Sequence, residues 1–390
     1  MDAIQIPQGD VQKLLGADNG IGAAAILAVL EDKSLVHGPV EALFTATEET
    51  GMDGAFNLEG GMLQGDILLN LDSETEGELY VGCAGGMDAT TTFEYVAEPA
   101  PDCDCVALKL TVKGLKGGHS GIQIVAQRAN ANKVLFRFLD SVAAEYKFRI
   151  ASVDGGGLRN AIPREAEAVV LFAKEQKEAV VAALAAYEKM IIKEYEDIED
   201  SVQIFAEEVE MPAEVMPKAL SENLVKAIVG CPDGAQKMSL SMAGLVQTST
   251  NLARVVSDGK SVMTQALLRS SVRSEKEALG AQMAAVFSLA GGNTVLSGSY
   301  DGWNPNMKSP ILAAMTTSYE QLYGKRPAVT AIHAGLECGI IGSKYPNLDM
   351  ISFGPTICYP HSPDEKVEIA SVEKFYDFLL RTLENIPVKA

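Results

Sequence analysis

Hydrophobic and polar positions in the first third of the chain alternate in the manner of helices and strands. Residues 21–31 are rich in alanine and leucine, which favours a helix, with Asp18 and Asn19 as candidate caps. Two apolar, β-prone stretches follow at 40–47 and 66–72, and the second ends in an aspartate. This alternation predicts an α/β layer, in which helices cover a parallel or mixed sheet.

The pattern changes near residue 105, where long alternating stretches replace the α/β order. Strands are predicted at 106–112, 163–173, 242–256 and 261–272, and helices at 129–146, 174–200 and 275–290. An antiparallel sheet packed against two helices is the simplest arrangement for such a stretch. This part of the chain is therefore expected to form an inserted α+β domain.

The α/β style returns after residue 299. A helix is predicted at 310–323, short buried strands at 329–332 and 350–353, and an amphipathic helix at 369–384. Single cores stop growing beyond roughly 250–300 residues, so two domains are expected for 390 residues. The simplest organisation is a catalytic domain in two pieces, 1–105 and 297–390, interrupted by a smaller domain at 106–296.

Composition and charge narrow the classes of function. The formal net charge of −20 would repel phosphate backbones, which disfavours nucleic-acid binding. No apolar run is long enough to cross a membrane, and the N-terminus lacks the basic and apolar regions of a signal peptide. The six cysteines are scattered, so reduced thiols in a cytoplasmic protein are expected. The close pair Cys103 and Cys105 leaves metal binding open as an alternative.

Four acidic residues stand at the ends of predicted elements. Asp18 precedes a helix, Glu48 and Glu49 follow the predicted strand 40–47, and Asp72 closes the strand 66–72. Carboxylates at neighbouring strand ends converge on one region, and their mutual repulsion is relieved by protons or divalent cations. Taken singly, each acid is better explained as a helix cap or a solvated loop residue, but together with the histidines the four acids are better explained as a functional site.

Only four histidines are available for catalysis or metal binding. His361 lies in a proline-rich loop after a buried strand, where it is a candidate metal ligand or an exposed turn residue. His119 is left accessible by the glycines around it. His333 follows a strand and suits either a buried structural role or a supporting role at a site, whereas His37 is expected to be structural.

Two other kinds of site are disfavoured by their spacing. The glycine-rich stretch 16–22 matches neither a dinucleotide fingerprint nor a P-loop, which needs a lysine and a hydroxyl at fixed positions. Ser120 does not lie in the G-x-S-x-G elbow of serine hydrolases.

Seven motifs occur in order along the chain: LGADNGIG, TATEETGMDGA, NLDSETEGE, GLKGGHSG, GGGLRNAIPREA, IHAGLECG and GPTICYPHSPDE. Together they closely resemble the aminoacyl-histidine (Xaa-His) dipeptidases, within the di-zinc aminoacylase/carnosinase-like metallopeptidases. The resemblance runs from about Leu15 to the C-terminus. It implies an α/β fold: a mixed-sheet zinc-exopeptidase catalytic domain with an inserted α+β lid or dimerisation domain. It disfavours a deacetylase or a carboxypeptidase of the same superfamily.

The resemblance implies a metal ligand set on the catalytic domain. Asp18 would bridge two divalent metal ions, Glu49 would bind one, Asp72 would bind the other, and His361 would complete a coordination sphere. Zinc is the favoured metal, and manganese and cobalt are also compatible with carboxylate-rich ligands. Glu48 would act as the general base that takes a proton from the attacking water.

The remaining implied roles concern the substrate, which is expected to be a small peptide. His119 would stabilise the developing oxyanion, and in dimeric relatives this residue comes from the partner subunit, so a homodimer is expected. Asn160 and Arg269 would hold the substrate, the arginine through its terminal carboxylate. His333 is included among the substrate-binding candidates.

The chain departs from the family before Asp18. Relatives carry an earlier His-x-Asp motif whose histidine binds one metal, and no histidine precedes His37 here. The catalytic domain is therefore expected to be incomplete at its N-terminus, with one metal site short of its usual histidine. Weak or no dipeptidase activity is expected of this chain alone. Gene decay or splitting, a start assigned at a late methionine, and conversion into a non-catalytic, dimerising remnant all remain open.

Overall fold

The chain folds as two compact units in a computed structural model, which describes residues 3–5, 15–102 and 104–386. One unit comprises Met1–Ala84 and Asp301–Ala390, and the other comprises Gly85–Tyr300. We call them the outer unit and the inserted unit. The domain boundaries expected at 105 and 297 remain a prediction, and the compact units part at 84 and 300.

The first piece of the outer unit begins with a short strand and contains the predicted helix. Its elements are β1 (Ala3–Gln5), α1 (Ala17–Glu31), α2 (Glu48–Gly51), α3 (Asp53–Asn57), β2 (Ile67–Asn70) and β3 (Glu78–Cys83). The helix expected at 21–31 is confirmed; Asp18 and Asn19 at its start have non-helical backbone angles, and the Asn19 side chain accepts the Gly22 N–H at 2.9 Å. The strand expected at 66–72 is confirmed as β2.

The prediction of a strand at 40–47 is wrong. Residues 39–45 form no strand, and none of their backbone groups makes a backbone hydrogen bond within the part of the chain that the structure describes. A strand exists only where a neighbouring chain segment accepts and donates its hydrogen bonds. The β-prone side chains are present here, but the neighbour is missing among the described residues.

The inserted unit is built on one large antiparallel sheet. The strands of the whole unit are β4 (Gly85–Glu94), β5 (Glu98–Pro99), β6 (Cys105–Lys113), β7 (Gly118–His119), β8 (Phe148–Gly156), β9 (Ala161–Ile162), β10 (Ala166–Ala173), β11 (Gln203–Val209), β12 (Glu214–Val215), β13 (Gly234–Met238), β14 (Val246–Ser257), β15 (Ser261–Ser270) and β16 (Asn293–Ser297). Nine strands form the main sheet in the order β11-β6-β10-β8-β14-β15-β4-β16, with β13 beside β14. The expected α+β pattern is confirmed.

Four helices of the described residues pack with this sheet, three of them at the predicted positions: α4 (Ala131–Val142), α5 (Lys177–Glu194), α6 (Lys218–Gly230) and α7 (Arg273–Leu289). The sequence patterns missed α6 altogether. One continuous core joins sheet and helices, and Phe93, Phe136, Phe138 and Phe172 are almost completely buried in it.

The second piece of the outer unit restores the α/β order. Its elements are α8 (Pro310–Tyr323), β17 (Ala328–Ile332), α9 (Glu337–Lys344), β18 (Asp349–Ser352), β19 (Ile357–Cys358), β20 (Lys366–Glu368) and α10 (Ile369–Glu384). Helices α8 and α10 begin and end at the predicted residues. The Ser309 hydroxyl caps α8 by accepting a hydrogen bond from the Leu312 N–H, and Pro310 occupies its first turn.

A mixed four-stranded sheet in the order β17-β3-β18-β2 forms the centre of the outer unit. Strand β17 is parallel to β3, and β18 is parallel to β2. Strand β2 therefore lies at an edge, and all four of its residues are only partly buried. No helix in the described part of the chain is both long enough and apolar enough to cross a bilayer.

Candidate metal centre and active site

Three of the predicted metal ligands meet in the outer unit. The Nε2 atom of His361 lies 2.9 Å from an oxygen of Asp18 and 2.8 Å from an oxygen of Glu49. Asp18 is in the first turn of α1, Glu49 is in the short helix α2, and His361 is in the loop between β19 and β20. One imidazole nitrogen and two carboxylates thus converge from parts of the chain more than three hundred residues apart.

The backbone around these ligands is shaped for them. His361 has a φ of 60° and Thr47, just before Glu48, has a φ of 58°. Non-glycine residues rarely adopt this left-handed conformation, and they do so mainly where the surrounding structure enforces it at functional sites. The peptide bond between Asp18 and Asn19 is cis.

Two acids that sequence reasoning missed belong to this region. Glu74 groups with Asp18 and His361, with one potential ligand atom of each within 4.8 Å of the others. Glu365 is almost fully buried, and its two oxygens accept hydrogen bonds from the backbone N–H groups of Gly16 and Asp18, each at 3.1 Å. Glu365 therefore fixes the start of α1. Glu74 lies in the motif NLDSETEGE and Glu365 in HSPDE, each a few residues from a predicted metal ligand. That closeness in sequence was the signal that could have identified both acids.

A second group of carboxylates surrounds Glu48 and Asp72. Burial, followed by the charges of Glu49, Glu337 and Asp18, raises the pKa of Glu48 to about 7. Burial, followed by the charges of Glu48, Asp18 and Glu49, raises the pKa of Asp72 to about 8. Each of these acids therefore feels the others, and this mutual repulsion marks a site that favours a positive ion.

Hydrogen bonds orient the edges of the cluster. The Thr45 hydroxyl donates to a carboxylate oxygen of Glu337 at 2.8 Å, which ties residues 39–45 to α9. Burial raises the pKa of Glu337, although the Thr45 hydrogen bond acts against this. Burial opposes the charged form of His361, but the Glu49 charge and the hydrogen bond with Asp18 outweigh it, so the pKa of His361 is raised.

The donor set fits divalent metal ions. Carboxylate oxygens and imidazole nitrogens bind zinc, and carboxylates that repel one another gain most from a nearby cation. The close approach of His361 Nε2 to carboxylate oxygens of Asp18 and Glu49 brings such donors together.

The inserted unit holds a separate group of predicted residues. His119, in β7, pairs with Ala161, the residue after Asn160. Its Nδ1 accepts backbone N–H groups from Gly121 at 3.2 Å and Ile122 at 3.1 Å. Because Nδ1 accepts, a neutral ring carries its proton on Nε2 and can donate from there. Burial and the charge of Arg269 lower the pKa of His119, which favours that neutral form.

Arg269 lies in β15 and is only 5% exposed. Its Nε atom has no hydrogen-bond partner among the described residues, which is unusual for a buried cation and suits an anionic ligand. Asn160 is exposed, and its carbonyl oxygen accepts the Ser120 N–H at 2.8 Å. His119, Asn160 and Arg269 therefore belong to one part of the inserted unit.

The remaining histidines and cysteines behave differently. His333 directly follows β17 and is buried, and His37 is exposed in the irregular segment after α1. Cys105 is disulfide-bonded, which corrects the expectation of a reduced thiol and removes it as a metal ligand. Cys103 lies outside the described residues. Cys83, Cys231, Cys338 and Cys358 are free thiols.

Comparisons with known proteins agree with these features. Residues 110–199 match the family model described as a peptidase dimerisation domain. The chain is 42% identical to the cytosol non-specific dipeptidase of Escherichia coli over 96% of its own length and 77% of that protein. It is 45% identical to the crystal structure of aminoacylhistidine dipeptidase from Vibrio alginolyticus, with a TM-score of 0.93, covering 96% of this chain and 76% of that one.

A more distant likeness supports the fold alone. The crystal structure of aminopeptidase PepT from Bacillus cereus is 15% identical, with a TM-score of 0.51, and the match covers 98% of this chain and 76% of that chain.

Proposed function

The chain belongs to the M20 metallopeptidase family as a dipeptidase relative, and from this premise we propose that it hydrolyses dipeptides of the aminoacyl-histidine type. The 45% identity to an aminoacylhistidine dipeptidase supports that substrate class. The name of the Escherichia coli relative, a non-specific dipeptidase, supports activity on other dipeptides as well.

The observation that carries the proposal is the convergence of Asp18, Glu49 and His361. A histidine nitrogen within 3 Å of two carboxylates is a ready-made metal site, because all three groups donate electrons to the same small volume. We assign to these residues one of two zinc ions, and to Asp18 and Asp72 the second. After burial, the charges that raise the pKa of Asp72 are all carboxylates, which supports a cation at this second position.

Two bound divalent ions would supply an acidified water and a polarised scissile carbonyl. The protein's own contribution starts with Glu48, which would accept a proton from water and release it to the leaving amine. His119 would donate from Nε2 to the developing oxyanion, and Arg269 would bind the terminal carboxylate of the dipeptide. Asn160 and His333 are assigned supporting contacts to the substrate.

We also propose that the chain forms a homodimer through the inserted unit, where the match to the peptidase dimerisation domain lies. A cytosolic location follows from the name of the Escherichia coli relative and is proposed on that ground.

The alternative is a non-catalytic remnant that retains the fold. The half-buried edge strand β2 favours it, because a complete α/β sheet buries such a strand. Metal stoichiometry separates the two functions: an enzyme binds two ions per chain, whereas a remnant binds none, or one weakly.

The test is hydrolysis of alanyl-histidine by chain stripped of metal and reloaded with zinc, manganese or cobalt, with N-acetyl-histidine as the control substrate. We expect a metal-dependent rate on alanyl-histidine. Equal rates with and without metal would contradict the metallopeptidase assignment. Preferential cleavage of N-acetyl-histidine would contradict the dipeptidase assignment.

A further inference from the structure

The large sheet of the inserted unit has two different faces. Leu252 on β14 and Leu268 on β15 belong to the core shared with the helices, and both are completely buried. Side chains alternate between the faces of a sheet, and residues paired across two strands share a face. Asn251 and Arg269 therefore lie on the face that points away from this core, since Arg269 pairs with Ser249, two residues before Asn251.

A short segment that contains Asn160 covers this second face. Asn251 is only 1% exposed, although it is not part of the hydrophobic core. Its side-chain Nδ2 donates hydrogen bonds to the carbonyl oxygens of Arg159 at 3.1 Å and Ala161 at 2.8 Å. An asparagine amide carries two N–H donors, so both are used. They bind the backbone immediately before and immediately after Asn160.

The Arg159 side chain provides a second anchor for the same segment. Its Nε atom lies 3.3 Å from a carboxylate oxygen of Asp88, and its guanidinium donates to the Thr90 hydroxyl at 2.6 Å. Both partners belong to β4, which pairs with β15. Asn160 itself is exposed. Its backbone is therefore fixed against the sheet, while the residue stays accessible to a substrate.

The same contacts extend to His119. Strands β7 and β9 form a two-stranded sheet in which His119 pairs with Ala161. Next to this pair, the Ser120 N–H donates to the Asn160 carbonyl oxygen at 2.8 Å. A shift of the segment that Asn251 holds would therefore displace the backbone of His119 as well.

Glycines explain why this segment needs support from the sheet. Residues 155–157 are three consecutive glycines, and Gly156 has a φ of 76°. Glycine restricts the backbone least, so the connection from β8 does not fix the direction of the segment by itself. Leu158, the next residue, is 74% exposed and adds little packing. The hydrogen bonds of Asn251 and Arg159 supply the missing constraint.

We propose that Asn251 is a positioning residue of the active site. Its amide holds Asn160 directly, and it holds His119 through the pairing of β7 with β9, in the places from which both act on the substrate. The roles of Asn160 and His119 rest on the proposed dipeptidase function. A misplacement of about 1 Å costs roughly 10²-fold in rate, so the position of these two residues matters to catalysis.

The structural part of the test is hydrogen exchange of the Ser120 amide in the full chain, without metal or substrate. Asn251→Ala removes both donors, so this amide should exchange about tenfold or more faster than in the unaltered chain. The matched control is Asn132→Ala. Asn132 is equally buried, and its Nδ2 donates to the Leu252 carbonyl oxygen at 3.2 Å rather than to the segment around Asn160. Asn132→Ala should leave exchange of the Ser120 amide unchanged.

The kinetic part of the test uses the metal-loaded chain and alanyl-histidine. Asn251→Ala should lower kcat about 10–100-fold and change KM less than about threefold, because the oxyanion that His119 would stabilise forms only in the transition state. Zinc affinity should not change, since the proposed metal ligands lie in the outer unit. Asn132→Ala should leave kcat unchanged.

Several results would overturn the proposal. One is unchanged Ser120 exchange in Asn251→Ala, and another is faster exchange with an unaltered kcat. Equal losses of kcat in Asn251→Ala and Asn132→Ala would also contradict it. Asn251→Leu removes the same donors at a similar volume and takes the place of an alanine variant that does not fold. If neither variant folds while Asn132→Ala does, Asn251 serves folding and the proposal is wrong.

Failure of the proposed function has a different signature. An unaltered chain that hydrolyses no dipeptide with any of the metals contradicts the dipeptidase assignment. Exchange of the Ser120 amide still decides, in that case, whether Asn251 holds the segment around Asn160.

Discussion

The two sheets of this protein are built from similar apolar sequences but reach different degrees of completeness. In the inserted unit, β6 lies between two strands, and its residues Leu108 and Leu110, in the core shared with the helices, are at most 1% exposed. In the outer unit, β2 contains Ile67, Leu68 and Leu69, and none of them is fully buried. The comparison teaches that sequence supplies the propensity for a strand, while a neighbouring strand decides whether it is buried.

The carboxylates of the two units differ in the same way. In the inserted unit, burial would raise the pKa of Glu275, but hydrogen bonds from Lys237, Thr248 and Gln247 lower it to about 2. In the outer unit, Glu48 and Asp72 face other carboxylates, and their pKa values rise. Glu275 is stabilised by hydrogen bonds within the inserted unit, whereas the carboxylates of the outer unit would be stabilised by a bound cation.

Among the tests of this difference between the carboxylates of the two units, Glu48→Gln should have the largest effect. The amide cannot accept a proton, so kcat on alanyl-histidine should fall roughly 10²–10⁴-fold in metal-loaded protein, with the bound metal retained. Glu41→Gln is the matched control, since Glu41 lines the same cavity as Glu48 but accepts the N–H groups of Gln64 and Gly65 at 2.8 Å. Equal losses in the two variants would remove Glu48 from the role of base.

His361→Ala should weaken zinc binding more than roughly 100-fold, because losing even a residue that supports a ligand costs about 10–100-fold. Calorimetric titration of metal-stripped protein measures this. The control is His37→Ala, since the His37 side chain is exposed, and it should bind zinc like the unaltered chain. Zinc affinity unchanged by His361→Ala would locate the metal elsewhere.

A pair of leucine truncations compares the two sheets directly. Leu139→Ala, at a fully buried position of the inserted unit, should lower the free energy of unfolding by about 2–5 kcal/mol. Leu69→Ala, on the half-buried β2, should cost less than about 2 kcal/mol, because less apolar area is lost. Urea unfolding provides both values. A larger cost for Leu69→Ala would show that β2 is as well packed as the inserted core.

The smallest effects concern pH, and they should have opposite signs in the two units. With metal chelated, Asp72 and Glu48 hold protons in the folded state that the unfolded chain releases, so stability falls as pH rises from about 4 to about 8. Asp72→Asn should therefore raise the Tm at pH 8.

For Glu275 the pKa in the folded state is lower than in the unfolded state. Its contribution to stability is therefore present above pH 4.5 and is lost as pH falls towards about 2. Glu275→Gln should lower the Tm at pH 7 and not at pH 2. The same pH trend for both variants would contradict the distinction.

Sequence reasoning succeeded where local pattern determines structure. The ends of α8 and α10, the strand β2 and the antiparallel inserted sheet follow from periodicity and capping residues such as Ser309. It failed at 40–47, because strand pairing depends on a neighbour that the segment's own residues do not encode. At the site, the motifs identified Asp18, Glu49 and His361, which the fold brings together. Glu365 was missed, because its role arises from two backbone contacts with residues near Asp18.

The central claim is that the acidic cluster of the outer unit is a metal centre. Anomalous scattering at the zinc edge, from crystals of the zinc-loaded chain, tests it most directly. The account predicts a peak bounded by Asp18, Glu49 and His361, with any second peak beside Asp18 and Asp72. Strong zinc density away from these side chains, with His361 still pairing directly with the carboxylates, would contradict it.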